Sequence, residues 1–389
     1  MDFTFSEEQQ MLLETTRRVI AKDYGFEARR QIKEHAAQGF SPVIWQTFAD
    51  LGLLALNVPE QDGGLAVNAN QSAIDTMLVM SVMGEGLVLE PFLASAVLAT
   101  NTVAMLGSTS QRSVLLPAMA AGEKIAVLAH EEPSTRYQWQ AVETRAWPLG
   151  NGYVLTGHKS VVAHGPSADI LLVSARLAAP GQDGPLAVFV VPREASGVRQ
   201  SAYTTVDGVP ASEVWLEQVY VPASALLTTS TVEQAGAVDA EMLLGEILDI
   251  GLAAVCAEAV GALDRILAAT IEYAKTRQQF GVAIGKFQAL QHRMAEMVLY
   301  IEQARSMAYL AAVSCHDTDV AARRKAMSAA KVVVGQACRF VGQQAVQLHG
   351  GMGVTDELDV SHYFKRLMAI ELQFGSTDHH LELFARQLS

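Results

Sequence analysis

The segment "YAKTRQQFGVAIGKFQALQHRMAEM" (residues 273–297) decides the fold class of this chain. Its first residues close a long helical pattern, the stretch "FGVAIG" interrupts that pattern, and a second helical pattern follows. The second pattern forms one apolar stripe, because its members recur at alternating spacings that match the helical repeat. The members of the stripe are Leu290, Met294, Met297, Ile301, Ala304 and Ala308. Long helices with short connections predict an antiparallel helical bundle.

Two regions of different character precede the bundle. Residues 1–121 read as helices, with N-cap signals at Ser6 and Ser41. Residues 122–231 hold short runs of valine, leucine and aromatic residues between turn clusters, which predicts an antiparallel β-sandwich or barrel. The sequence has no GxGxxG motif and no βαβ alternation, so a Rossmann fold is not supported. We therefore predict an α+β protein with an N-terminal helical domain, a middle β domain and, over residues 232–389, a C-terminal helical bundle.

Composition and charge narrow the possible partners. With 28 basic and 41 acidic residues, the net charge of the 389 residues is −13, which argues against nucleic acid or an anionic membrane as a partner. No apolar run reaches the roughly 18 residues that a membrane span needs, and the segment "MDFTFSEEQQMLL" lacks the basic start of a signal peptide. The three cysteines are isolated, so we expect reduced thiols in a cytoplasmic protein.

Two motifs within this layout resemble the acyl-CoA dehydrogenase family, and the resemblance covers essentially the whole chain. Residues 273–297 are similar to the family's R-x-x-F-G-x-x-I-x-x-F-Q signature, and "QAVQLHGGMGVTDE" (344–357) is similar to its glycine-rich segment. Within the family, the chain most resembles the small subunit of pimeloyl-CoA dehydrogenase and similar partners in heteromeric bacterial enzymes. The resemblance implies a FAD enzyme of fatty acid metabolism that forms a tetramer and passes electrons to an electron-transfer flavoprotein.

The resemblance also implies a shared cofactor site. It assigns contacts with the adenosine diphosphate part of a FAD, bound mainly to a neighbouring subunit, to Arg277, Phe280, Gln288, Gln347 and Gly351. A planar, permanently charged arginine suits a diphosphate, and glycine allows close approach of the backbone. Taken without the family, the same residues are also compatible with a surface arginine and a helix-capping glycine pair.

The catalytic base of the family is missing from both of its usual positions. One position, in the C-terminal "Y-E-G-T" segment, corresponds to "QFGST" here and holds Phe374. The other lies 26 residues before the motif arginine and holds Gly251. Neither side chain can remove a proton. Asp249 is a weak substitute, because two residues along a helix point to different sides. Glu246 and Glu131 are further alternatives.

The loops that would face the chain's own flavin also depart from the family. "HEEPSTRYQW" (130–139) replaces a small Gly-Ser loop, Val161 replaces a tryptophan, and Ala163 replaces a threonine whose hydroxyl meets the flavin. We therefore expect the non-catalytic partner in an α2β2 tetramer with two FAD, completing the FAD site of a catalytic subunit. The alternatives are a homotetramer with a relocated base and a flavin-free structural or regulatory subunit.

The acid and the two histidines in "LQFGSTDHHL" (372–381) invite a metal interpretation. Asp378, His379 and His380 are consecutive on a predicted helix. Successive helical residues diverge by about 100°, so these three side chains do not converge on one ion. We expect no metal site there.

Overall fold

The computed structural model describes residues 5–228 and 240–387. Along this part of the chain, helices are followed by the strands of one sheet and then by helices again, which confirms the predicted fold class. The chain divides into two compact units that combine distant segments. The first holds Met1–Gln31, Ala73–Val88 and Leu252–Ser389, and the second holds Ile32–Ser72 and Leu89–Gly251.

The N-terminal helices begin at the predicted caps. The Ser6 hydroxyl accepts from the Gln9 backbone N–H while the Gln9 side chain accepts from the Ser6 N–H, which completes a capping box. The Ser41 hydroxyl accepts from the Ile44 N–H, with Pro42 at the first helical position. The helices are α1 (Glu7–Asp23), α2 (Phe26–His35), α3 (Pro42–Asp50), α4 (Ala69–Gly86), a π-helical segment (Phe92–Ala99) that continues into α5 (Thr100–Leu106), and α6 (Thr109–Ala120).

The second unit contains one seven-stranded sheet. Antiparallel pairs dominate, but the strand Ile170–Leu177 pairs in parallel with two other strands, Ala126–Ala129 and Arg145–Leu149. The strands are β1 (Ala126–Ala129), β2 (Arg145–Leu149), β3 (Gly152–Ala163), β4 (Ile170–Leu177), β5 (Leu186–Pro192), β6 (Val198–Thr204) and β7 (Pro210–Pro222). Their order is β1-β4-β2-β3-β7-β6, with β5 on β4. The long β3–β7 pair carries two register shifts, which change the side chains that face inward.

The C-terminal region consists of long helices joined by short connections, as predicted. Four members of the predicted stripe, Met297, Ile301, Ala304 and Ala308, are buried. The elements are α7 (Ala240–Thr276), a hairpin of β8 (Gln278–Gln279) and β9 (Val282–Ala283), α8 (Gln288–Ser314), α9 (Val320–His349), α10 (Asp359–Leu372) and α11 (Thr377–Arg386). No helix in the described residues is both long and apolar enough to cross a membrane.

Two glycines let α4 and α7 touch backbone to backbone in the first unit. A Cβ at Gly84 would lie 1.9 Å from the carbonyl oxygen of Glu258, and a Cβ at Gly261 would lie 1.8 Å from that of Ser81. Any side chain at these positions would push the helices apart. The two glycines therefore fix how closely these helices pack.

Candidate functional site

Arg277 lies immediately after α7, where the chain turns into the β8–β9 hairpin. Its N–H donates to the carbonyl of Tyr273 and its carbonyl accepts from the N–H of Ile284, both at 2.8 Å. The backbone is thus fixed on both sides while the guanidinium is exposed. A fixed backbone and a free planar cation suit recognition of an anion from another molecule.

Phe280 lies at the tip of this hairpin and is 91% exposed. Its φ of 51° is left-handed, and Gly281 beside it has a φ of 80°. A non-glycine residue in this region costs about 1–2 kcal/mol, so the turn presents an aromatic ring to solvent at an energetic cost. Gln288, the first residue of α8, is also exposed.

Gln347 and Gly351 lie at the end of α9, next to the end of α7. The rings of Tyr273 and His349 stack with centroids 4.3 Å apart, and the Tyr273 hydroxyl donates to the His349 carbonyl at 3.4 Å. Gln347 is exposed. A Cβ at Gly351 would meet no atom within 4 Å, so its backbone is open to a ligand.

These five residues are the ones to which the resemblance assigned contacts with a FAD. The Tyr273–His349 contact joins the ends of α7 and α9, and Arg277 and Gly351 follow these two ends in the chain. They offer an exposed cation, two exposed amide side chains, an exposed aromatic ring and bare backbone. In general, a cation can bind a diphosphate and an exposed aromatic ring can stack on a purine.

A second feature is the turn of residues 373–376, here called the 374 turn, which joins α10 to α11. Phe374 has a φ of 58° and Gly375 a φ of 109°. The ammonium of Lys331, which is fully buried, donates to the carbonyls of Glu371 and Gly375 at 2.8 and 2.7 Å. This cation satisfies one carbonyl of the last turn of α10, that of Glu371, and one carbonyl of the 374 turn, that of Gly375.

His380 fixes the same turn from α11. Burial lowers the pKa of His380 to about 4, so the ring is neutral at pH 7. Its Nε2–H donates to the Phe374 carbonyl at 2.8 Å, and its Nδ1 accepts from the Ser328 hydroxyl at 3.3 Å. The Glu371 carboxylate accepts from the Thr377 N–H at 3.0 Å. His380 therefore anchors a turn, and the described residues contain no group of three side chains that could hold a metal.

Gly251 lies in the interior of α7 and is buried. Asp249 and Glu246 are partly exposed, and both interact with other groups. Glu131, the other alternative base, lies in the loop after β1, where desolvation raises the pKa of its carboxyl although part of the residue is exposed. A raised pKa is compatible with acid–base chemistry, but also with a shielded loop carboxyl.

A buried ion pair organises the loop between β1 and β2. Lys159 Nζ lies 2.6 Å from a Glu132 carboxylate oxygen, and neither side chain reaches solvent to any extent. Glu132 also accepts from the Thr144 hydroxyl at 2.6 Å and from the N–H groups of Glu143 and Thr144. Burial lowers the pKa of Lys159 to about 8, and the Lys159 ammonium lowers the pKa of Glu132 against the opposing effect of burial.

The sheet face next to this loop is occupied by internal contacts. Val161 has a left-handed φ of 50°, and its N–H donates to the Glu213 carboxylate at 3.4 Å. Glu213 also accepts from Tyr203, at 3.2 Å, and pairs with His158 at 2.7 Å. The N–H of Val161 is thus engaged by a carboxylate, which would repel an electron-rich ligand edge.

A cleft of about 690 Å³ opens on this face of the second unit. Glu132, Thr144, His158 and Trp215 are among its lining residues. The His158 ring stacks on Trp215 at 4.7 Å, and the Arg199 guanidinium lies 3.9 Å from the Trp215 ring centroid. Because both partners already stack on the indole, this tryptophan is not free to stack on a ligand.

Comparison with known families decides the identity of the fold. Three domain families match the chain. They are described as "Acyl-CoA dehydrogenase, N-terminal domain", "Acyl-CoA dehydrogenase, middle domain" and "Acyl-CoA dehydrogenase, C-terminal domain", and they match residues 6–123, 128–219 and 243–389 in that order. The chain belongs to the acyl-CoA dehydrogenase family. The N-terminal and C-terminal matches bracket a middle match that coincides with most of the described sheet.

Individual relatives show the same breadth of similarity. The chain is 29% identical over 400 residues to the "Probable acyl-CoA dehydrogenase YngJ" of Bacillus subtilis, covering all of both chains. It is 27% identical to an "L-prolyl-[peptidyl-carrier protein] dehydrogenase" of Serratia, covering 100% of this chain and 98% of the relative. A chain of the ChsE4-ChsE5 complex from Mycobacterium tuberculosis superposes with a TM-score of 0.85 at 26% identity, with 100% and 99% coverage.

Membership in the acyl-CoA dehydrogenase family implies FAD as cofactor and a dehydrogenase activity. Sequence reasoning missed three residues that shape the site: Lys159, Lys331 and Glu213. A lysine within an apolar helix or strand pattern is the signal that could have found the first two. The register shifts in β3 disguise which of its side chains face inward, so alternation alone does not place Lys159.

Proposed function

We propose that this chain is a subunit of a FAD-dependent acyl-CoA dehydrogenase that completes the FAD site of a second, catalytic subunit. The contrast between two surfaces carries the proposal. Arg277, Phe280, Gln288, Gln347 and Gly351 form an open set of donors and bare backbone.

The positions that would serve the chain's own flavin and base are altered instead. Val161 gives its N–H to Glu213, and Phe374 and Gly251 occupy the two base positions. We also propose that the chain has three domains, with boundaries at residues 121 and 231. We propose further that its role is similar to that of the small subunit of pimeloyl-CoA dehydrogenase.

The reaction is α,β-dehydrogenation of an acyl thioester. A carboxylate base takes the α-proton, and the β-hydrogen leaves as hydride with its electron pair, so a C–C single bond becomes a double bond. Bound FAD supplies the hydride acceptor. This chain's own part is to hold the diphosphate with the Arg277 guanidinium and to cover the adenosine with exposed side chains at the ends of α7 and α9.

The partners follow from the same assignment. The substrate is an acyl-CoA, the second protein is a catalytic acyl-CoA dehydrogenase chain in an α2β2 tetramer, and the electrons leave to an electron-transfer flavoprotein in the cytoplasm. The solved ChsE4-ChsE5 complex, a chain of which has the same fold, supports heteromeric assembly. The similarity to a peptidyl-carrier protein dehydrogenase makes a carrier-bound acyl group the substrate to test beside acyl-CoA.

The decisive experiment compares the chain alone with the chain co-expressed with a neighbouring dehydrogenase. We expect the lone chain to be colourless and the complex to be yellow, with one FAD for two chains. In the complex, Arg277→Ala should lower FAD content by about tenfold, because a charge-assisted bond to phosphate is lost. Arg18→Ala, a change of the same kind at an exposed residue of α1, is the matched control.

The outcomes distinguish three hypotheses: a non-catalytic partner subunit, a homotetramer with a relocated base, and a flavin-free structural or regulatory subunit. A lone chain that binds stoichiometric FAD and bleaches with an acyl-CoA would show the homotetramer with a relocated base, and Asp249→Asn, Glu246→Gln and Glu131→Gln would then locate that base. A complex without FAD would favour the structural or regulatory subunit. Unchanged FAD content in the Arg277→Ala complex would refute the role of Arg277.

A further inference from the structure

The strand β6 (Val198–Thr204) lies at the end of the sheet and is paired on one side only. Its only partner among the described strands is β7, which it meets along all seven of its residues. The four residues from 201 to 204 are exposed. A strand with one open edge presents backbone N–H and carbonyl groups that a further strand can bind.

The hydrogen bonds at the two ends of β6 show which of its groups face outward. The N–H of Glu217 donates to the carbonyl of Gly197 at 2.9 Å. At the other end, the N–H of Thr205 donates to the carbonyl of Val209 at 3.0 Å. Bonded pairs alternate along an antiparallel ladder, so the odd-numbered residues of β6 bond to β7. The backbone groups of the even-numbered residues point away from β7, and these residues include Gln200, Ala202 and Thr204.

β6 lacks the features that normally keep an open edge from pairing. Such edges are protected by a lysine, a proline or a bulge. The strand reads VRQSAYT, without lysine or proline, and its described ladder with β7 has no register shift. Its one charged side chain, Arg199, lies 3.9 Å from the centroid of the Trp215 ring and 3.3 Å from a Glu217 carboxylate oxygen. The outward edge is therefore regular and carries no unpaired charge.

The length and spacing of β6 allow it to pair with a second copy of itself. With Ser201 of both copies on a two-fold axis, the outward groups of Gln200 meet those of Ala202 in the other copy. Val198 then lies opposite Thr204, so the whole strand is in register. A two-fold axis makes the two halves of the contact identical, which closes the contact at two copies.

The same register places complementary side chains opposite each other. Arg199 faces Tyr203 of the other copy, whose hydroxyl donates to the Glu213 carboxylate at 3.2 Å. A cation opposite an aromatic ring and a carboxylate is favourable, and no two like charges meet. The neighbouring registers place Arg199 opposite Thr205 or Ser201 instead. The arrangement with Ser201 on the axis is therefore favoured.

We propose that β6 is a docking edge for β6 of a second copy of this chain, so that two seven-stranded sheets join into one continuous sheet. The inference goes beyond the proposed function, which concerns contacts between this chain and a different subunit. A single short strand buries little area, so we expect a weak contact with a dissociation constant on the order of 10 µM. The contact therefore forms and separates with protein concentration.

A cysteine on the axis tests the proposal in the full chain. In Ser201→Cys the two Cα atoms would lie about 4.5 Å apart, as in a non-hydrogen-bonded antiparallel pair, which suits a disulfide. The three native cysteines are buried, so they add little background. We expect mild oxidation to link two copies. Thr204→Cys, on the same exposed strand, is the matched control and should not cross-link, because its two copies would lie about 20 Å apart.

A charge on the axis tests the same contact without a covalent bond. Ser201→Lys places two ammonium groups opposite each other, so self-association measured by sedimentation between about 1 and 100 µM should weaken at least tenfold. Thr204→Lys adds the same charge opposite Val198 and should weaken self-association by about twofold or less. Thermal unfolding checks that both variants keep the fold.

Hydrogen exchange distinguishes the possible occupants of the edge. The outward amides of Gln200, Ala202 and Thr204 should exchange more slowly at 100 µM than at 1 µM of the wild-type chain (about the range used for sedimentation), whereas β7 protects the odd-numbered amides at both. No cross-link in Ser201→Cys, or exchange independent of concentration, would overturn the proposal. Protection that appears only when the catalytic subunit is added would assign the edge to that subunit and overturn it as well. None of these results changes the FAD content of the Arg277→Ala complex, which tests the proposed function by itself.

Discussion

Removing the charge of Glu132 while leaving Lys159 in place should destabilise the β-sheet unit severely. The Lys159 ammonium is fully buried and has one carboxylate partner at 2.6 Å. In Glu132→Gln the cation keeps the His130 carbonyl at 3.2 Å and the Ser174 hydroxyl at 3.0 Å, but loses its counter-charge. Breaking a buried pair from one side typically costs about 3–5 kcal/mol.

The geometry places the expected loss within this range. The two remaining acceptors of Lys159 reduce the loss of stability. The glutamine amide increases it, because its NH2 group must point towards another donor. One oxygen of Glu132 faces Lys159 and Thr144, and the other faces the Glu143 N–H. An NH2 group at either place opposes an N–H or ammonium donor. We therefore expect a loss of about 4 kcal/mol in the free energy of unfolding.

The assay is denaturant unfolding, together with hydrogen exchange at the amides of Glu143 and Thr144. Lys159→Met added to Glu132→Gln should recover about half of the loss, because no buried charge then remains. Glu194→Gln removes a carboxylate that also lies 2.6 Å from an arginine, Arg193, but is 80% exposed, and should cost under about 0.5 kcal/mol. Equal effects of Glu132→Gln and Glu194→Gln would refute the reasoning.

Two further predictions concern acid and helix packing. Burial lowers the pKa of His130 to about 3 and of His380 to about 4, so between pH 6.5 and 4 the unfolded chain binds protons that the folded chain does not. The free energy of unfolding should therefore decrease by about 3 kcal/mol for His380 alone as the pH is lowered through this range. His380→Gln should flatten a plot of unfolding free energy against pH, and an unchanged slope would contradict the assignment. Gly261→Ala should cost more than about 2 kcal/mol in thermal unfolding because its Cβ would lie 1.8 Å from the Ser81 carbonyl; a neutral effect would show that the helices can separate cheaply.

Local signals in the sequence predicted most of the fold. The capping serines Ser6 and Ser41 and the stripe that buries Met297 and Ile301 lie where predicted. These features depend on residues within one or two helical turns of each other, so a single sequence contains them. The parallel pairing of β1 and β2 with β4 depends on residues far apart in the chain, and no local pattern encodes it.

The candidate site was harder to predict from the sequence for the same reason. The resemblance named Arg277 and Phe374, but it could not show that a lysine more than forty residues away holds the turn of Phe374. Similarly, the engagement of the Val161 N–H by Glu213 joins two strands through a left-handed residue. Contacts that depend on a buried cation or on a strained backbone are set by tertiary packing, which a sequence pattern does not report.

The uncovered ring of Phe280 has a consequence for the stability of the proposed assembly. The side chain is 91% exposed at the tip of a hairpin, so the fold of the single chain gains little from its apolar area. Covering an aromatic ring removes apolar area from water, which favours the state in which it is covered. On the proposed assembly, this ring would therefore stabilise the complex and not the lone chain.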